Sequence, residues 1–165
     1  MPRRMAAGEP VVLLIGSNAG RRVRALREAV RRLSRHVTVE SVSRIFAGPP
    51  AGRPCQPWFL NQAVAGTTRL APWDLLLFAK EVERRAGRAA GPRWGPRPLD
   101  VDILLMGDRI VAEPALVVPH PALARRRFCL APAAEIVPDA PVPPEGRTIR
   151  QLLEECDDPL EVVAL

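Results

Sequence analysis

Two carboxylates one residue apart, Asp100 and Asp102, end a stretch dense in arginine and proline: Arg93-Trp94-Gly95-Pro96-Arg97-Pro98-Leu99-Asp100-Val101-Asp102. Hard oxygen donors with Arg88, Arg93 and Arg97 close by in sequence are the chemistry of Mg²⁺ and polyphosphate. From Leu99 to Met106 the residues follow the two-residue period of a strand. Leu99, Val101, Ile103 and Leu105 take one face; Asp100, Asp102, Leu104 and Met106 take the other. On a shared face the two aspartate Cα atoms stand about 7 Å apart. At an effective dielectric near 20 such charges repel by about 2 kcal/mol, so a sheet that keeps them is expected to offer a cation in return. Pro96 and Pro98 fix φ and remove two backbone donors, which stiffens the approach to the strand.

Other residues carry possible chemistry singly. Asn61 lies near the start of a predicted strand, Phe59–Thr68, where its amide can pair with local backbone or meet the edge of a heterocycle. His120 sits between Pro119 and Pro121, a restrained backbone position for a structural ring or a donor to phosphate. Arg125-Arg126-Arg127-Phe128 joins cations to an aromatic ring. Gly16-Ser17-Asn18-Ala19-Gly20 follows an apolar run, but the Gly-Lys-Ser/Thr ending of a Walker phosphate loop is missing. It reads as a plain strand-to-helix turn.

The elements that must position these groups follow from periodicity. Val11–Ile15 is unbroken apolar sequence, the mark of a central strand. Arg21–Ser34 places Val23, Leu26, Val30 and Leu33 on one helical stripe, with arginines over much of the remainder. Val37–Phe46 is β-rich, with Val42 out of phase. Ala47–Pro57 is a Pro- and Gly-dense loop, long enough to be functional. Pro72–Ala86 is a second helix, opened by Pro72 and stopped at Gly87. Gly107-Asp108 signals a hairpin, with Arg109–Val111 returning. Pro121–Ala124 and Ala131–Ile136 read as short helices, and Val137–Gly146 as loop. Thr148 and Gln151 form a capping box before a last helix through Glu155.

The chain of 165 residues fits one domain, residues 1–165, with residues 1–9 as a loose tail. Its net charge of +6 favours anionic partners, and Lys80 is the only lysine among 24 basic residues. Cys55, Cys129 and Cys156 match no zinc or redox spacing, so reduced thiols in a cytoplasm are expected. No apolar run reaches the length of a membrane helix.

Taken in order, several motifs carry a family resemblance. They are Ile15-Gly16-Ser17-Asn18, Phe59-Leu60-Asn61-Gln62-Ala63, Gly87-Arg88, Arg93 through Ile103, Val118-Pro119-His120-Pro121, Arg126-Arg127-Phe128 and Ala134-Glu135-Ile136-Val137-Pro138-Asp139. The chain resembles the 6-hydroxymethyl-7,8-dihydropterin pyrophosphokinases of folate biosynthesis. The resemblance implies an α+β fold with a ferredoxin-like core, helices packed on a largely antiparallel sheet. It implies transfer of the terminal pyrophosphoryl group of ATP to the pterin hydroxymethyl, releasing AMP. It further implies a pair of Mg²⁺ ions on Asp100 and Asp102, with Arg88 and Arg97 on the phosphates. His120, Arg126 and Ile103 would surround the nucleotide. Phe59 and Phe128 would sandwich the pterin, Asn61 would pair with its edge, and Glu83 and Trp94 would line or close the site. Ala89-Ala90-Gly91 stands where many members carry a second loop arginine, Gly48 where threonine is common, and Phe59 where tyrosine is frequent.

The expected partners are therefore ATP and the pterin, for a monomer with neither nucleic acid nor membrane. An RNA-binding module on a similar sheet would want aromatic-rich strands, and aromatics are only 4% here. A metal-dependent nuclease would usually want further acidic ligands or a catalytic His beside the pair, and would leave Asn61 and the two phenylalanines without a role.

Overall fold

In chain order the elements are β1 (Glu9–Ser17), α1 (Arg22–Leu33), β2 (Val37–Val42), β3 (Phe46–Gly48), β4 (Phe59–Thr68), α2 (Pro72–Arg85), β5 (Asp100–Met106), β6 (Val111–Glu113), β7 (Leu116–Val118), α3 (Arg127–Ile136), β8 (Pro141–Val142), β9 (Arg147–Thr148), α4 (Ile149–Glu154) and β10 (Val163–Ala164). They come from a computed structural model that describes residues 8–50, 55–87 and 97–165.

The apolar run predicted as a central strand is the middle of β1, which pairs antiparallel with β4 on one side and β5 on the other. Val11, Leu13 and Ile15 point to a core shared with Leu26 and Leu33 of α1 and Leu75 and Val82 of α2. Val12 and Leu14 point to a second core with Cys129 and Leu130 of α3 and Ile149 of α4. A strand covered on both faces reads as an unbroken apolar run rather than an alternating one. The order β2-β4-β1-β5, with α1 and α2 as the crossovers, is the ferredoxin-like arrangement, and every pairing in the sheet is antiparallel. Among the described residues no helix is long and apolar enough to cross a membrane.

The strand period expected for β5 holds only through Ile103. Val12 opposes Leu105 and Leu13 opposes Ile103, so Leu104 is the extra residue of a β-bulge. Beyond it the phase reverses. Leu104 and Leu105 both enter the second core and Met106 joins the first.

Other expectations need correction. The single strand predicted over Val37–Phe46 is two strands along one edge of β4. Buried Ser43 bridges the break: its N–H donates to Ala63 O at 2.9 Å, and its hydroxyl accepts the Ala63 N–H at 2.9 Å. Arg109 does not open a returning strand, because its N–H closes a turn on Met106 O at 3.0 Å; β6 pairs with β7 instead. Residues 121–124 form hydrogen-bonded turns, not a helix. The helix predicted at Ala131 starts at Arg127, whose N–H finds an acceptor in Asp158 at 3.1 Å. The tail is shorter than expected, since Glu9 already belongs to β1; residues 1–7 lie outside the described residues. The Thr148–Gln151 capping box is present as predicted.

Because Leu13 is fully buried in the middle of the central strand, Leu13→Ala should lower the unfolding free energy by about 3 kcal/mol. Urea denaturation measures it, and a loss below about 1 kcal/mol would contradict this placement.

Candidate active site

The cavity floor is one rank of residues across three strands. Asn61 of β4 opposes Gly16 of β1, and Gly16 opposes Asp100 of β5. In the next rank Leu14 opposes Asp102. Directly opposed residues share a face, so Asn61, Gly16, Leu14, Asp100 and Asp102 all line one cavity of about 390 Å³. Two strand spacings put Asn61 about 10 Å from Asp100. Gly16 leaves the floor between them open. A Cβ there would stand 2.4 Å from Asn61 Oδ1, so the absence of a side chain is what lets Asn61 take its position.

The two aspartates share a face as the strand period requires, and the side chains are 24% and 44% exposed for Asp100 and Asp102. Each has a basic group beside it. Arg97 Nη1 is 3.4 Å from Asp100 Oδ1, and His120 Nε2 is 3.8 Å from Asp102 Oδ1. The bulge contributes to the second contact, because Leu104 O accepts the His120 N–H at 2.9 Å. His120 Nδ1 accepts the Ala122 N–H at 3.0 Å, so the neutral ring carries its proton on Nε2. That proton is directed to the side of Asp102, where an anion can take it.

Asn18, read from sequence as part of a plain turn, does more. Fully buried, it accepts the Arg97 N–H at 2.6 Å, donates its own N–H to Arg97 O at 3.0 Å, and donates its side-chain amide to Gln56 at 3.0 Å. It thus pins the end of the arginine segment to β1 and reaches the loop after β3.

Phe59 and Phe128 line the cavity from opposite elements, β4 and α3, and make no ring contact with each other among the described residues. A flat molecule between them would stack on both. Asn61 is 6% exposed, and among the described residues no hydrogen bond reaches its carboxamide. A buried amide facing a cavity without a protein partner is a place for a ligand's donors and acceptors.

Arg126 places its guanidinium carbon 5.1 Å from the centre of the Phe128 ring, and its Nε bonds Asp158 at 3.0 Å. Burial alone would raise the Asp158 pKa. The N–H groups of Leu160 and Arg127 and the Arg126 guanidinium outweigh that and hold it below the usual carboxylate value. Asp158, Leu160 and Val162 line the cavity, as does Lys80. Sequence reasoning missed all four. The residues after α4 have no period to read. Lys80 looks like solvent-facing helix; a Lys80–Glu83 pair at i, i+3 was the one available signal.

Two expected site residues stand elsewhere. Glu83 is buried at the outer edge of β5, where it accepts the Val101 N–H at 2.9 Å and lies 3.6 Å from Lys80. Ile103 packs in the first core, because it alternates with the aspartates and so faces away from them. Neither is among the described residues that line the cavity. Arg88 and Trp94 lie outside the described residues. Among those described, no group of three or more acidic, His or Cys side chains could form a closed metal cage. Two half-exposed carboxylates on an open cavity suit Mg²⁺, which binds through one or two carboxylates with substrate phosphates and water completing its shell.

Known proteins resemble the chain in sequence and in fold. Residues 12–138 match the family model for 7,8-dihydro-6-hydroxymethylpterin-pyrophosphokinase. The chain is 44% identical over 126 residues to the 2-amino-4-hydroxy-6-hydroxymethyldihydropteridine pyrophosphokinase of Bacillus subtilis, covering 75% of each protein. It is 39% identical over 149 residues to the protein of the same name from Pseudomonas aeruginosa, covering 88% of this chain and 91% of that one. A mitochondrial folate synthesis bifunctional protein of Arabidopsis thaliana is 42% identical over 131 residues, but the chain spans only 24% of its length. Among solved structures, wild-type Plasmodium falciparum HPPK-DHPS superposes with a TM-score of 0.68 at 15% identity, over 89% of this chain and 43% of that one. At that identity the likeness bears on the fold alone.

Gly16→Ala should push Asn61 off the floor without touching the carboxylates. The pterin implied by the sequence motifs should then bind about tenfold more weakly, with MgATP affinity nearly unchanged. Fluorescence titration of both ligands reads this, and an equal loss for ATP would contradict the assignment of Asn61 to the heterocycle end.

Proposed function

Starting from the fact that this chain belongs to the 7,8-dihydro-6-hydroxymethylpterin-pyrophosphokinase family, we propose that its cavity transfers pyrophosphate from ATP to 6-hydroxymethyl-7,8-dihydropterin and releases AMP. The observation that carries the assignment to this cavity is the rank Asn61–Gly16–Asp100. It sets a hydrogen-bonding amide and a carboxylate pair on one floor, at a separation that suits a bicyclic ring with its hydroxymethyl arm.

The pterin lies between Phe59 and Phe128, and its polar edge takes the free bonds of Asn61. This stacking fixes the plane of the ring, and the amide fixes its rotation, so the hydroxymethyl oxygen is presented toward Asp100 and Asp102. That oxygen gives its proton to Asp102 and forms a bond to the β-phosphorus of ATP, the bond from the β-phosphorus to the α,β-bridging oxygen breaks, and AMP departs with the bridging oxygen. Asp100 and Asp102 hold Mg²⁺, which supplies charge neutralisation on the phosphates and a more acidic hydroxyl. The chain's own cations surround the same anion. Arg97 is pinned through its backbone by Asn18, Arg126 stands on Phe128, and His120 presents the Nε2 proton; Arg88 is assigned to the same set. Trp94 is assigned to closing the site. Ile103 supports the site from the far face of β5 and Glu83 from its edge, where it fixes the Val101 N–H between the two aspartates.

The proposal includes a monomeric, single-domain cytoplasmic enzyme with no nucleic-acid partner. Cys55, Cys129 and Cys156 are all free thiols, which fits a reducing compartment. An RNA-binding sheet of this topology presents aromatic residues across an open face, whereas here α1 and α2 pack on one face and α3 and α4 on the other, leaving only the cavity open.

Purified protein should form AMP from ATP only when both the pterin alcohol and Mg²⁺ are supplied, and EDTA should abolish it. Nucleotide chromatography separates the products. ADP in place of AMP would show single-phosphoryl transfer and overturn the assignment.

A further inference from the structure

The segment after α4 has little regular structure to hold it. Its ladder is β10 on β3, with Val163 opposing Ala47 and Ala164 opposing Phe46, extended by Leu165 N–H to Ile45 O at 2.9 Å. Nevertheless Leu160 and Val162 form part of the cavity wall. What fixes the segment is a reciprocal clamp to the start of α3. Arg127 donates Nε to Asp158 O at 3.0 Å and Nη2 to Cys156 O at 2.9 Å. In return the Asp158 carboxylate accepts the Arg127 N–H through Oδ2 at 3.1 Å and the Leu160 N–H through Oδ1 at 3.0 Å.

The same Oδ2 takes Arg126 Nε at 3.0 Å, and the Asp158 side chain is only 5% exposed against 32% for Arg126. The Arg126 guanidinium is therefore held from two directions, at Nε by the carboxylate and from below by the Phe128 ring. With Nε engaged, the planar fork has one orientation left, and its two Nη groups are the ones available to an anion in the cavity. Asn in place of Asp158 has a single acceptor oxygen and no charge, so it cannot serve both the Leu160 side and the Arg126 side.

We propose that Asp158 is a positioning residue that orients Arg126 toward the nucleotide phosphates and, through the Arg127 clamp, makes the C-terminal segment part of the site. This rests on the pyrophosphokinase reading for the identity of the anion, but the clamp itself is a property of this chain. Asp158 lies outside residues 12–138, the span matched by the family model.

A double-mutant cycle tests it. Wild type, Asp158→Asn, Arg126→Ala and the double variant are compared by KM and kcat in AMP formation and by equilibrium binding of a non-hydrolysable ATP analogue with Mg²⁺. Asp158→Asn should weaken nucleotide binding about tenfold in the wild-type background and less than about twofold in the Arg126→Ala background. Pterin affinity should stay within about twofold throughout. Equal losses in both backgrounds would make Asp158 a structural cap only, and unchanged affinity in Asp158→Asn would overturn the proposal outright. If thermal melting shows Asp158→Asn unfolded, the cycle is run with Asp158→Glu, where the same coupling to Arg126 is required. Should wild type make no AMP, the reaction assignment fails, while the binding cycle still decides whether Asp158 acts through Arg126.

Discussion

Two negative charges on successive same-face positions of one strand are a cost that the whole site is built around. Nothing in the packing demands them, since Val101, Ile103 and Met106 supply the contacts of β5 to the first core and Leu104 and Leu105 those to the second. Among the described residues Arg97 stands beside Asp100 and His120 beside Asp102. Those neighbours stand at 3.4 and 3.8 Å, longer than a tight ion pair, and leave both carboxylates half-exposed on a cavity. Two carboxylates on one face of a cavity are the donor chemistry that a hard divalent ion takes.

The fold turns that local cost into a site. Helices pack on both faces of β1, and the cavity occupies the part of the α3 face they leave open, over the ends of β4, β1 and β5. Three kinds of anchor meet there. Asn18 ties the arginine segment to β1, the Leu104 bulge offers its carbonyl to His120, and Asp158 ties α3 to the chain's last residues. Gly16 is the small residue between the two halves of the floor. One half is acidic and cation-binding; the other is aromatic with a single amide. The same geometry accounts for a substrate with a charged end and a flat polar end, and the family to which the chain belongs acts on such a pair of substrates.

Much of this was legible in the residues. The central strand, both long helices, the aspartates' shared face and the capping box each follow from a period or a local hydrogen-bonding pattern. The failures have physical reasons. A bulge inserts one residue and reverses the face of everything after it, which no binary pattern announces; Leu105 and Met106 changed sides for that reason. Helix α3 starts early because a carboxylate from far along the chain supplies its acceptor. Ile103 is close to the site in sequence terms but faces the wrong side of β5 to line it, and Glu83 is taken up by the backbone at the strand's edge. Asp158, Leu160 and Val162 were invisible because their placement depends on Arg127, a side chain that looked like one more surface arginine. Arg88 and Trp94 stand on the motif alone.

The claim on which all of this depends is that Asp100 and Asp102 together hold divalent metal beneath the triphosphate. Mn²⁺ electron paramagnetic resonance with a non-hydrolysable ATP analogue measures it directly, by counting ions bound to the protein. Wild type should immobilise about two Mn²⁺ per chain in the ternary complex, and Asp100→Asn with Asp102→Asn together should immobilise none beyond the nucleotide's own. An unchanged Mn²⁺ count and affinity in that double variant would contradict the account.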